Sequence, residues 1–199
     1  MRSGPTLTEL NLSSNSGLTD IAFLAKFSAL QKFDVHSCAV RDLSPLVASA
    51  STLTDLNASQ NQHCDGSCVE AIPQLVQLTV LELDKINLVD ITFVGGLTNL
   101  KKLNLAGNDV TDLSPVSQLK KLSHIDLEGN HALADISALI TLAHEADKPF
   151  EEIKLKYTRL SFEQLMRLRD QQDAITGFSE ELAGALTAAD NFGEAIENL

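Results

Sequence analysis

Leucine recurs in this chain at fixed spacing, and that recurrence limits the possible folds more than any other feature. There are 33 leucines in 199 residues, and at Leu10/Leu12, Leu81/Leu83 and Leu103/Leu105 two of them flank a polar residue. The template apolar-x-x-apolar-x-apolar-x-x-Asn starts at residues 7, 30, 53, 78, 100, 122 and, more weakly, 150. The first copy is Leu7, Leu10, Leu12 and Asn15, and the second is Leu30, Phe33, Val35 and Cys38. Leu53, Leu56, Ala58 and Asn61 follow, then Leu78, Leu81, Leu83 and Ile86. Leu100, Leu103, Leu105 and Asn108 make the fifth copy, Leu122, Ile125, Leu127 and Asn130 the sixth, and Phe150, Ile153, Leu155 and Thr158 the last. Seven copies in register specify a repeat architecture, because each unit alone cannot bury its apolar face.

The second half of each period repeats as well. An apolar residue, a variable one and an Asp precede Ile or Leu at Leu18–Ile21, Val40–Leu43, Leu88–Ile91, Val110–Leu113 and Leu133–Ile136. Apolar residues then fall at steps of three, as in Leu113, Val116 and Leu119. The period-two leucine pairs predict short strands with both leucines inward. Stacked copies then form a parallel sheet on one face of a coil. The step-of-three residues line the opposite, convex side. The Asp is expected to cap a short helical turn there by accepting backbone N–H groups.

This combination resembles the leucine-rich repeat family, in the class with 22-residue repeats. That class is shared by the protein-phosphatase-1 regulatory leucine-rich protein, bacterial internalins and an axonemal dynein light chain. The resemblance spans residues 7 to 160. It implies an α/β right-handed solenoid with a parallel concave sheet, short helical turns or loops on the convex side, and a C-terminal helical cap. It carries little information about function. The expected division is residues 1–160 as about seven repeats and 161–199 as the cap.

The ninth position is expected to be a structural ladder of Asn15, Cys38, Asn61, Asn108 and Asn130, whose side chains pair backbone groups at a buried bend. Thr158 also occupies that column, and Ile86 interrupts it. Longer periods place insertions at 62–69 and 143–149, expected as loops. Ser161-Phe162-Glu163-Gln164 reads as a capping box that opens a helix with Leu165, Leu168 and Ala174. Ser179 and Asp190 are expected to cap two further helical stretches, with Leu182 and Leu186, and with Phe192, Ala195 and Leu199. No amphipathic helix precedes the first repeat. The first coil is therefore expected to be half open, to pair through its edge, or to continue an upstream chain.

The net charge is −12, half of it in residues 161–199. An acidic chain is a poor match for nucleic acid or membrane surfaces, which are themselves anionic. No apolar run approaches the roughly 18 residues of a membrane span. Outward positions of the sheet are the third, fifth, seventh and eighth of each copy. They are polar and mostly acidic through the sixth copy, then basic at Lys154 and Lys156. Asp34, Asp55, Glu82, Asp84, Asp126, Glu128 and the lone Tyr157 are the candidate partner-binding residues. Glu82 with Asp84, and Asp126 with Glu128, are adjacent carboxylates, but an open sheet offers no enclosure to shift a pKa for catalysis. His36 and His124 are read as surface contacts. His63-Cys64-Asp65-Gly66-Ser67-Cys68 is open to three readings: a loop with free thiols, a Cys64–Cys68 disulfide, or one side of a zinc site. The free-thiol loop is the favoured one, with no metal and no cofactor expected.

Together these features point to a non-catalytic scaffold that binds a protein partner with a basic surface, as a cytoplasmic monomer. Two alternatives are a phosphatase regulatory subunit or the targeting arm of a larger enzyme, and a secreted or surface protein of internalin type. The last would apply if the chain were a fragment of a longer precursor.

Overall fold

The computed structural model describes residues 6–64, 67–146 and 149–170. Seven three-residue strands stack in chain order into one parallel sheet. They are β1 (Glu9–Asn11), β2 (Lys32–Asp34), β3 (Asp55–Asn57), β4 (Val80–Glu82), β5 (Lys102–Asn104), β6 (His124–Asp126) and β7 (Glu152–Lys154). The register follows the template: Leu10 faces Phe33, Phe33 faces Leu56, and so on to Ile125 facing Ile153. The middle residue of each strand points inward, so a one-residue slip would expose the whole apolar column. Leu56, Leu81, Leu103, Ile125 and Ile153 are buried accordingly. The first coil is the exception. Leu7 is exposed, and Leu10, Leu12 and Leu18 are only partly covered.

The convex side carries 3-10 turns at Ala22–Lys26, Ser44–Ser49, Ile72–Gln74, Thr92–Gly96 and Ser114–Gln118. The expected Asp caps are present. One carboxylate oxygen each of Asp20, Asp42, Asp90, Asp112 and Asp135 accepts the backbone N–H two residues on, at 2.7–2.8 Å. In the sixth coil the turn lengthens into a helix, α1 (Ser137–Glu145). Ala143–Glu145, expected as part of an inserted loop, are therefore helical; the longer period gives room for two full turns.

The ladder residues divide the coil junctions into two kinds. Asn61 donates to Val35 O of the previous coil and Ala58 O of its own, and its Oδ1 accepts Val40 N–H. Asn108 donates to Leu83 O and Leu105 O and accepts from both Ile86 and Leu88 N–H. Asn130 donates to Leu105 O and Leu127 O and accepts from Val110 N–H. Where the following coil carries Cys38, Ile86 or Thr158 instead, the preceding coil closes on itself. Leu18, Cys64 and Leu133 each donate to the carbonyl of the Asn three residues earlier. The sequence spacing matches: the capping Asp lies four positions after the ninth residue in coils two, four and five, and five positions after it in coils one and six. The extra residue makes the tight turn that supplies the missing acceptor.

Cys38 retains part of the ladder role, its thiol lying 3.2 Å from Leu12 O. Thr158 donates to Leu155 O of its own coil, and Asn15 to Leu12 O and Ser13 O of its own. Asn15 is exposed, so it is a turn residue rather than a buried rung. Ser49 provides an additional rung. Buried, it donates to Phe27 O at 2.7 Å and accepts Leu30 N–H.

At the end of the coil, α2 (Phe162–Arg169) begins as expected, with Ser161 Oγ accepting Gln164 N–H at 3.3 Å. The reciprocal half of the capping box is not made. Gln164 instead reaches the sixth coil, where its side chain contacts Ile136 N–H and the Asp135 carboxylate. Leu168 is buried against the core. The expectations for the Leu165 side chain, for Ala174 and for the helices after Ser179 and Asp190 lie outside the described residues.

Candidate binding face

The outward columns form one continuous concave surface, and its backbone shape has a cause that the template does not announce. Every eighth residue is left-handed: Ser14, Ser37, Gln60, Lys85, Gly107, Gly129 and Tyr157 have φ between 54° and 76°. Only two are glycine, although a non-glycine residue there costs roughly 1–2 kcal/mol. The fifth column helps to impose the turn. The side-chain oxygens of Asn11, Asp34, Asn57, Asn104 and Asp126 accept the backbone N–H two residues on, at 2.8–3.1 Å. Asp34 and Asp126 are thus turn-forming residues as well as surface charges.

Glu82 breaks that column. It stands where the neighbouring coils have Asn57 and Asn104, and Asp84 N–H turns to Ser59 Oγ at 3.2 Å instead. Ser59, expected outward, is consequently buried. Among the described residues no hydrogen bond or ion pair engages the Glu82 carboxylate. Partial burial raises its pKa above the ordinary carboxylate value, and the negative charges of Asp84 and Asp34 add to the shift. His36 and Lys102 oppose it.

The remaining candidates are more committed. Asp34 lies 2.9 Å from His36 Nδ1, and Asn11 donates to its other oxygen. Asp55 accepts from Thr54 Oγ1 at 2.6 Å. Asp84 receives a long contact from Gln60 at 3.5 Å. Asp126 pairs with Lys154 at 3.4 Å, and Lys154 also reaches Glu152 at 3.5 Å. Burial pushes the Lys154 pKa down, but those two carboxylates outweigh it and hold the ammonium above its ordinary value. Glu128 is half-buried beside them. His124, also half-buried, lies 3.7 Å from Glu151. Tyr157 is exposed, with Lys156 Nζ 5.1 Å from its ring centroid.

The face therefore has two unlike halves. Across β1–β4 the outward columns set five carboxylates (Glu9, Asp34, Asp55, Glu82 and Asp84) against Lys32 and Lys85. Across β5–β7, three carboxylates meet Lys102, Lys154 and Lys156. The first half forms a groove of about 530 Å³ whose floor is the strand backbone at Leu10, Phe33 and Leu56 and whose outward side chains include Val80 and Glu82. The second encloses about 210 Å³. The acidic excess of the first six copies thus lies mostly across β1–β4.

Cys64 and Cys68 form a disulfide, which overturns the favoured free-thiol loop. Both sulfur-bearing residues are buried, and Cys68 O accepts Leu43 N–H of the preceding coil at 3.4 Å. Among the described residues Cys38 is the free cysteine, and no three His, Cys, Asp or Glu side chains are grouped as a metal site.

A family model for two leucine-rich repeats matches residues 98–141, and one for a single leucine-rich repeat matches residues 5–21. With the parallel one-per-coil sheet, this identifies the repeats. The chain carries leucine-rich repeats. It is similar to leucine-rich repeat-containing protein 56 of Rattus norvegicus, with 39% identity over 71 residues, 36% of this chain and 13% of that protein. The Trypanosoma brucei brucei homolog of that protein is 26% identical over 162 residues, 78% of this chain and 18% of the other. The chain thus spans less than a fifth of the length of these curated relatives. Among solved structures, internalin C2 of Listeria monocytogenes superposes with a TM-score of 0.65 at 22% identity, over 86% of this chain and 80% of that one. The Arabidopsis receptor kinase HAESA, solved with the peptide hormone IDA and the co-receptor SERK1, gives 0.64 at 22% identity, over 78% of this chain and 27% of the receptor. These likenesses carry the solenoid fold.

Proposed function

We propose that these repeats are a non-catalytic protein-binding module whose concave face receives the partner. The observation that carries this reading is the face itself. Seven strands in unbroken register present their outward residues as one open surface. Such a surface suits a partner that spans several coils, whereas a small substrate needs a concave site that encloses most of it. The HAESA complex is a precedent for the fold meeting a peptide and a protein, at the level of fold analogy.

The face has few of the aromatic anchors that dominate many interfaces. Its recognition is accordingly read as charge-steered, which acts mainly on specificity and association rate. Photo-crosslinking amino acids placed at Asp55 and His124, with Ser117 on the convex side as control, test the reading in cells that express the protein. Crosslinks to the same partner from the two concave positions, and none from Ser117, are expected. Crosslinks from Ser117 with none from either concave position would overturn it.

A further inference from the structure

We propose that the groove across β1–β4 docks an extended, arginine- or lysine-rich segment of a partner protein, with one cationic side chain seated against Glu82. This inference rests on the concave face being the binding face, and it specifies which half is used and for what chemistry. Three observations carry it.

The first is shape. The groove is the larger of the two on this face, at about 530 Å³, and it runs along the strands of four coils with half-buried Val80 beside Glu82. An extended segment can follow such a groove across several coils, with the aliphatic stem of a lysine or arginine against Val80 while its charged end stays with polar groups. The second is charge balance. The walls carry an excess of carboxylate, whereas on β5–β7 three lysines match three carboxylates and Lys154 already pairs with Asp126 and Glu152. The third is the state of the carboxylates. Asp34 is held by His36 and its own turn, Asp55 by Thr54, and Glu9 by Lys32 at 3.4 Å. Glu82 is longer than the Asn found in its column on either side, and its turn is served by Ser59, so its carboxylate is left over in the groove. Its raised pKa reports the same uncompensated burial. A guanidinium brought against it would form a charge-assisted hydrogen bond where none exists now.

The test uses the full chain and a fluorescein-labelled decapeptide of alternating Arg and Ser, followed by fluorescence anisotropy and by backbone amide shifts. One-site binding is expected, with shifts at Asn57, Val80 and Glu82. Glu82→Gln should weaken it about fivefold, in the range of a partly exposed ion pair, and Glu145→Gln on the convex side should leave it unchanged. A decapeptide with Glu in place of Arg should not bind. Equal binding by Glu82→Gln, or shifts confined to β5–β7, would overturn this inference and leave the concave-face reading standing. Shifts confined to the convex turns would count against both. Absence of any binding by the Arg peptide would overturn the inference alone.

Discussion

Coil junctions two–three, four–five and five–six are built differently from one–two, three–four and six–seven. In the first group a buried Asn of the later coil accepts the N–H of the earlier one. In the second the ladder position is Cys38, Ile86 or Thr158, and the earlier coil pairs that N–H with its own Asn carbonyl. The solenoid thus satisfies the same buried N–H in two ways, one between coils and one within a coil. The within-coil solution uses extra chain length, and the irregular features sit in those coils: the Cys64–Cys68 loop in the third and α1 in the sixth. The strands keep their register across both kinds. Variation is confined to the convex side and its connections, and the face available to a partner stays continuous.

If the two kinds differ as described, removing their ladder side chains should have unequal effects. Asn108→Ala would leave Leu83 O and the Ile86 and Leu88 N–H groups without their buried partner. A loss of about 3–5 kcal/mol is expected from several unsatisfied groups, measured by urea unfolding. Thr158→Ala should cost less than about 1 kcal/mol, since it removes one bond within its own coil. Equal losses would erase the distinction.

Core burial should not depend on junction type. Leu105→Ala is expected to cost about 2–5 kcal/mol, whereas Leu12→Ala in the partly covered first coil should cost less. Next in size is the convex cap. Asp112→Ala should cost about 1 kcal/mol, the usual worth of an N-terminal cap. The smallest effect is electrostatic. The folded-state pKa of Glu82 is raised, so its ionisation opposes folding above that pKa and the penalty fades as pH falls below the unfolded value. Glu82→Gln should therefore raise stability slightly at neutral pH and not at acid pH, read from unfolding midpoints across pH. Asp135 has the opposite sign. Hydrogen bonds from Ser137 lower its pKa, so its contribution is present above the ordinary carboxylate range and lost as acid titrates it.

The strands, the core columns, the Asp caps and the buried Asn rungs were legible in the sequence because each follows from spacing alone. Leu81 and Leu103 are buried for the same reason that they lie at equivalent positions of consecutive copies. What was not legible depends on a neighbour one coil away. Nothing in the local sequence announces that Gln60 or Lys85 is left-handed, that Ser59 turns inward to serve Asp84, or that Gln164 leaves its own cap for Asp135. The unequal halves of the face were partly legible, since the charges could be counted by column. The isolation of Glu82 was not, because it depends on where Asp84 N–H finds its acceptor. Cys64 and Cys68 were visible as a pair, but their spacing left the bond and the free thiols both open.

A double-mutant cycle at the six–seven junction tests the coupling between ladder residue and loop length directly. Thr158→Asn restores the rung, and deletion of His131 shortens the preceding loop to the four-residue spacing of coils two, four and five. Each change alone should destabilise. Together they should convert the junction to the between-coil kind, with a favourable coupling of at least about 1 kcal/mol. Two losses that simply add would show that loop length and ladder residue are independent, and would contradict the division of the junctions into two kinds.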